Sequence, residues 1–164
     1  MGLLISKTDF VGRFALPQSI SDTITPYIAE YEEKYLVDLL GASLFTLFEA
    51  SVVSSVPTGV YLTIYNPITE DYNYAVLRSR GIKNMLLDFV RWEYITGTRD
   101  KMTDSGLVVS TNENVVNVDY SATSLYPKYN AAVNDWNTIQ WYINQHLSDY
   151  ATFNGQPKML SYSI

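Results

Sequence analysis

Few side chains in this sequence have the type and spacing to do chemistry. His146 is the single imidazole, and Ser148 and Asp149 beside it supply the residue types of a nucleophile triad. A triad needs convergence in space, and three neighbours in one short stretch do not announce it. A histidine near a helix C-terminus is also where the macrodipole favours one. The chain has no Cys, which excludes thiol nucleophiles, disulfides and thiolate metal sites. Glu30, Glu32, Glu33 and Asp38 offer paired carboxylates, but general acid–base work requires them in a cleft with displaced pKa values. Their spacing reads instead as the solvated face of a helix. No catalytic residue, metal or cofactor is expected, and the chain reads as a non-enzyme.

Basic residues are the remaining candidates. Six of the eleven, Arg78, Arg80, Lys83, Arg91, Arg99 and Lys101, fall in one segment. A basic helix over 78–91 gives a nucleic-acid-associated role its best footing. Against it, Asp88, Glu93, Asp100 and Asp104 interleave with the cations, and the formal net charge is −6. Phosphate binding draws on clustered, unopposed Lys and Arg. Pairing of Arg78, Arg80, Lys83 and Arg91 with acidic groups on a neighbouring subunit is the stronger expectation, and nucleic-acid association the alternative.

The elements that must position these groups follow from composition and periodicity. At 164 residues, 47% hydrophobic and 17% charged, the chain can bury one substantial core. No apolar run approaches the roughly 20 residues of a membrane span. Fourteen Tyr, three Trp and six Phe exceed what one such core needs, so Tyr residues off the helical stripes, such as Tyr61, Tyr65 and Tyr120, are interface candidates.

Ser6 and Asp9 have the form of a capping box, predicting a short turn through Phe10 and Phe14 up to Pro17. Thr25 and Pro26 start a helix with Ile28, Tyr31, Tyr35, Leu36 and Leu39 on one face and Gly41 as its stop. A second helix follows, in which Leu44, Leu47 and Phe48 share a face. Val60, Leu62 and Ile64 alternate with polar or aromatic residues, predicting a short strand or an extended loop. Thr69 then caps a long helix to Thr96, about 40 Å if unbroken, with Tyr72, Ala75, Val76, Ile82, Met85, Leu86, Phe89 and Trp92 inward and Lys83, Asn84, Asp88 and Arg91 outward. Gly81 within it implies close approach of another backbone or a slight bend.

After a polar link, Leu107 and Val109, a turn at 111–114, and Val115, Val116 and Val118 form a β-hairpin over 106–118. Both its faces are apolar, so it must pack on its own domain or on a neighbouring copy. A last helix carries Tyr129, Ala132, Val133, Trp136, Ile139, Ile143 and Leu147 inward. The tail, with Phe153, Met159, Leu160, Tyr162 and Ile164, has no helical period and suits lying along a partner. The prediction is a mainly α chain: a helical bundle with long amphipathic helices, an inserted β-hairpin and extended terminal arms. Its one domain comprises an N-terminal arm 1–20, a helical core 21–148 with the hairpin 106–118, and a tail 149–164.

Three stretches together carry a family likeness: Ile20 to Phe48 (with Glu33-Lys34-Tyr35-Leu36 and Leu39-Leu40-Gly41), Gly81-Ile82-Lys83 to Tyr94-Ile95, and Thr103-Asp104-Ser105-Gly106-Leu107-Val108. They resemble the head–tail connector, or adaptor, proteins of tailed bacteriophages, among them the ring proteins of crAss-like phages. The resemblance implies a viral structural protein made in the host bacterial cytoplasm and placed in the virion at the head–tail interface. There it would form a dodecameric homo-oligomeric ring under the portal protein, extend the DNA channel, and dock the downstream tail or ring protein. DNA would pass through without sequence-specific binding, and no membrane is involved. The hairpin 106–118 and the tail 152–164 occupy the places of the family's loops and arm that reach neighbours. The Tyr-rich segment from Val56 to Tyr74 departs from the commonest adaptors.

Overall fold

The computed structural model describes residues 2–16, 23–72, 75–103, 106–109 and 125–161. These are mostly helical. The helices are α1 (Thr25–Leu40), α2 (Ala42–Ala50), α3 (Tyr61–Tyr65), α4 (Ile82–Arg99) and α5 (Leu125–Gln145). Three antiparallel two-stranded hairpins join them: β1 (Val52–Val53) with β2 (Val56–Pro57), β3 (Ile68–Tyr72) with β4 (Ala75–Ser79), and β5 (Asp100–Thr103) with β6 (Gly106–Val109).

The core sits where α1, α4 and α5 meet. Tyr35 of α1 stacks on Phe89 of α4 with ring centroids 4.5 Å apart, and Trp136 of α5 meets both edge-on. Phe89 and Trp92 continue the array to Tyr129. The surplus of aromatic residues is thus largely spent inside the chain. Tyr61 packs against Phe48 and Tyr150, and Tyr65 is half-buried against the core. Both were expected at an interface, and Tyr120 lies outside the described residues.

α1 has the predicted span and its glycine stop: Gly41 has φ +75°, and its N–H donates to the Val37 carbonyl at 2.8 Å. The capping turn also forms, with the Asp9 carboxylate accepting from the Ser6 N–H at 2.8 Å. The segment predicted as an arm is more deeply placed than expected: Leu4, Ile5, Phe10 and Phe14 are all buried in the core.

Four local expectations fail for identifiable reasons. In α2 the inward residue beside Leu44 and Phe48 is Phe45, while Leu47 is exposed. The run 60–65 is a short helix rather than a strand, burying Ile64 and leaving Val60 and Leu62 exposed. The long helix does not begin at Thr69, because 68–79 is a hairpin with Ile68 opposite Ser79 and Tyr72 opposite Ala75. Tyr72, Ala75 and Val76 fit a helical stripe only because three residues sample too little of the period. Gly81 decides the matter. Its φ of +85° breaks any helix there, and a Cβ on it would overlap the Tyr65 carbonyl and the Asn66 backbone. The close approach was predicted correctly, but it marks the start of α4.

The fourth concerns the hairpin at 106. β6 pairs upstream with β5, Met102 opposite Leu107 and Thr103 opposite Gly106, so Asp100 to Thr103 is a strand and not a polar link. The nearest partner in sequence costs least in loop closure. Residues 110–118, including the predicted turn and Val115, Val116 and Val118, lie outside the described residues. α4 runs through Gly97, whose missing side chain makes room for the Tyr27 ring, and leads into β5 without a loop.

Candidate functional site

Ionic chemistry concentrates where β4 turns into α4. The Arg80 main-chain N–H donates to Asp135 Oδ1 at 2.7 Å, and its Nε donates to Asp135 Oδ2 at 2.8 Å. Its Nη1 reaches Asp88 Oδ2 at 2.8 Å, and the same oxygen takes Arg13 Nη2 at 3.1 Å. Lys128 Nζ then donates to the Arg13 carbonyl at 2.8 Å. An N-terminal turn, the β4–α4 link, α4 and the first turn of α5 are tied at one point.

Asp88 and Asp135 are both buried. Asp88 was predicted to face solvent and Arg80 to face a neighbouring subunit; instead they pair within the chain. Sequence carried a signal for Asp135, which shares the inward stripe of Ala132, Trp136 and Ile139. Burial raises the Asp88 carboxyl above its ordinary range, although Arg80 pulls the other way. Burial also works against the charge on Arg80, but Asp135 and Asp88 outweigh it and hold the guanidinium more firmly protonated. Asp88 Oδ1 and Arg91 Nε are buried without a hydrogen-bond partner among the described residues. The arrangement can clamp and attract charge. It offers no accessible acid–base pair.

A second buried carboxylate sits at the N-terminal segment. Glu32, predicted on the wet face of α1, accepts main-chain N–H bonds from Leu3 and Leu4 at 2.6 Å each and from Ile5 at 3.0 Å. Those three amides belong to irregular backbone and would otherwise lack acceptors. The detectable signal was spacing, since Glu32 lies one helical turn from both Ile28 and Leu36. Burial raises its carboxyl above the usual range against the pull of those amides. A cavity of about 330 Å³ beside it is lined by Gly2, Leu3, Glu32, Glu33, Phe45 and Glu49, among others.

The tail folds back on its own chain. Phe153, predicted to meet a partner, is buried in the core. Met159 is half-buried, and Asn137 grips its main chain twice, accepting from its N–H at 3.1 Å and donating to its carbonyl at 3.1 Å. An open cavity of about 530 Å³ lies between residues 156–160 and Trp136, Tyr129 and Asp38. Leu160 is 83% exposed, and Tyr162 and Ile164 lie outside the described residues.

The other predicted positions are dispersed. Arg78 is on β4 with its carbonyl accepting from Asn134, so 78–91 is not one basic helix. Lys83 is paired with Asp9 at 2.7 Å inside the chain, and Arg91 is half-buried. Leu107 and Val109 are on β6. His146 follows α5 with its ring stacked on Tyr142 at 4.1 Å and Nδ1 2.9 Å from the Tyr142 carbonyl, as a helix-terminal histidine rather than a base facing a nucleophile. Among the described residues no group of three or more His, Asp or Glu is placed to hold a metal ion. No described helix is long and apolar enough to cross a membrane.

Comparison with family models, curated proteins and solved structures finds no match.

Sequence reasoning missed the run between Leu47 and Leu62, where Leu47, Val53, Val56, Val60 and Leu62 are all exposed, Val53 at 63%. Val53 and Val56 are register partners, and α3 packs on β2, so the part of the run from Val53 to Leu62 is local in space as well as in sequence.

Proposed function

We propose that this chain is a structural adaptor of a tailed bacteriophage virion, assembling into a ring between portal and tail that extends the DNA channel and docks the next component. The reading rests on the likeness of 20–48, 81–95 and 103–108 to head–tail connectors. The observation that carries it is the exposed aliphatic run from Leu47 to Leu62. Clustered apolar side chains of this kind are costly on a monomer and useful between subunits. In the ring, α1, α4 and α5 would form the wall as a helical bundle. The hairpin that continues α4 and the segment beyond Met159 would reach neighbours as arms.

The nucleic-acid alternative is weakened by the pairing of Arg80 and Lys83 inside the chain. The test is mass photometry and negative-stain imaging of the purified chain, alone and with a portal protein. Concentration-dependent rings without duplex affinity are expected. A monomer at every concentration, with or without portal, overturns the reading. A duplex-DNA affinity that falls steeply with salt would favour the alternative.

A further inference from the structure

We infer that Arg13, Arg91 and Lys128 form a docking notch for the carboxylates of Glu30 and Glu33 on α1 of a second copy of this chain. The inference rests on the ring reading above and names one contact that would close it.

Charge is the first argument. Arg13, Arg80, Arg91 and Lys128 gather around two carboxylates, Asp88 and Asp135, leaving a local surplus of cations in a chain of formal net charge −6. Arg80 is spent on both carboxylates. The others are not. Arg91 Nε is buried with no acceptor among the described residues, and burial works against the guanidinium charge with Asp88 only partly offsetting it, so the outer edge of the group favours an added anion. Lys128 has three donor hydrogens, one of which bonds the Arg13 carbonyl. Burial, and then the repulsion of Arg91, lowers the Lys128 ammonium below its ordinary pKa, with Arg13 adding to the effect. An added carboxylate would relieve that repulsion.

The complement lies on α1. Glu30 and Glu33 are exposed and one turn apart on α1, so they project together. The two surfaces also lie on different sides of the molecule. Tyr35 of α1 stacks on Phe89 and donates to Glu93, which places α1 over that side of α4. Arg91 is two residues from each, about 160° round the helix from both. One face meeting a different face on the next copy is a heterologous contact, which closes into a ring when the rotation permits.

The experiment uses the full chain in mass photometry at low and high salt, with circular-dichroism melting to verify folding. One variant carries Glu30→Lys and Glu33→Lys, a second carries Lys128→Glu, and a third combines them. An acidic residue in the first turn of α5 suits the helix dipole, so Lys128→Glu is expected to fold. Each of the first two should raise the dissociation constant for assembly by about tenfold or more, and the combination should recover most of that loss. Assembly by the wild type that is unmoved by either reversal overturns the notch and leaves the ring standing. Inorganic phosphate binding lost in Lys128→Glu, with assembly intact, reassigns the notch to phosphate and likewise overturns it. A wild type that never assembles sinks the ring reading, and this contact with it.

Discussion

Glu32 accepts from three main-chain amides, Leu4 and Ile5 at one oxygen and Leu3 at the other, so losing one acceptor oxygen leaves at least one amide without its partner. Glu32→Gln turns one acceptor oxygen into a donor and should cost about 1–3 kcal/mol, read as a shift in urea midpoint. The same variant isolates a pH effect. Burial places the folded pKa of Glu32 above its unfolded value, so its contribution is complete below the ordinary carboxylate range and is lost as pH rises through the raised value. Wild-type stability minus that of Glu32→Gln should therefore decline with rising pH across this window. Asp9 has the opposite sign: burial pushes it up, but Lys83 and Ser6 prevail and hold it low, so its contribution is lost as pH falls. Arg80→Met would strand two buried carboxylates and should cost about 3–5 kcal/mol in the same assay.

Among the elements, the β4–α4 junction and the α5–tail contact lend themselves to direct tests. Gly81→Ala meets main chain rather than a movable side chain and demands a positive φ, so a loss of about 1–3 kcal/mol is expected, visible as a lowered Tm. Asn137→Ala removes both bonds to Met159 while leaving Phe153 in the core. Proteolysis at Lys158 should accelerate with little change in global melting, because the tail is released locally. α1 was readable because its stripe and its glycine agreed over sixteen residues. The 68–79 hairpin was not, because its few apolar positions fit both periods and only the packing of Gly81 on 65–66 excludes the helix.

For the whole molecule the question is where apolar and charged surface is satisfied. The core draws the N-terminal segment, Phe153 and Met159 onto the chain itself, so less is left for partners than a reading with free arms implies. An exposed run at 47–62 remains, beside separate exposed residues such as Val11, Val76, Leu147 and Leu160. Replacing Val53 and Val60 with Ser should leave monomer melting within about 0.5 kcal/mol, because both are solvated. Assembly by mass photometry should weaken if that face is an interface.

Periodicity alone determined that the chain is mainly helical, and it located α1, the core-facing stripe of α4 and the course of α5. Those signals are repeated over several turns, and burial of an apolar stripe is a local property of sequence. Tertiary structure decided which polar residues go inside. Spacing sets Glu32 and Asp135 on inward stripes, but what satisfies them and Asp88 there, the amides of residues 3–5 and the guanidinium of Arg80, is brought near only by the fold. A buried charge is tolerated only with its partner, and no spacing rule names a partner that folding alone brings near.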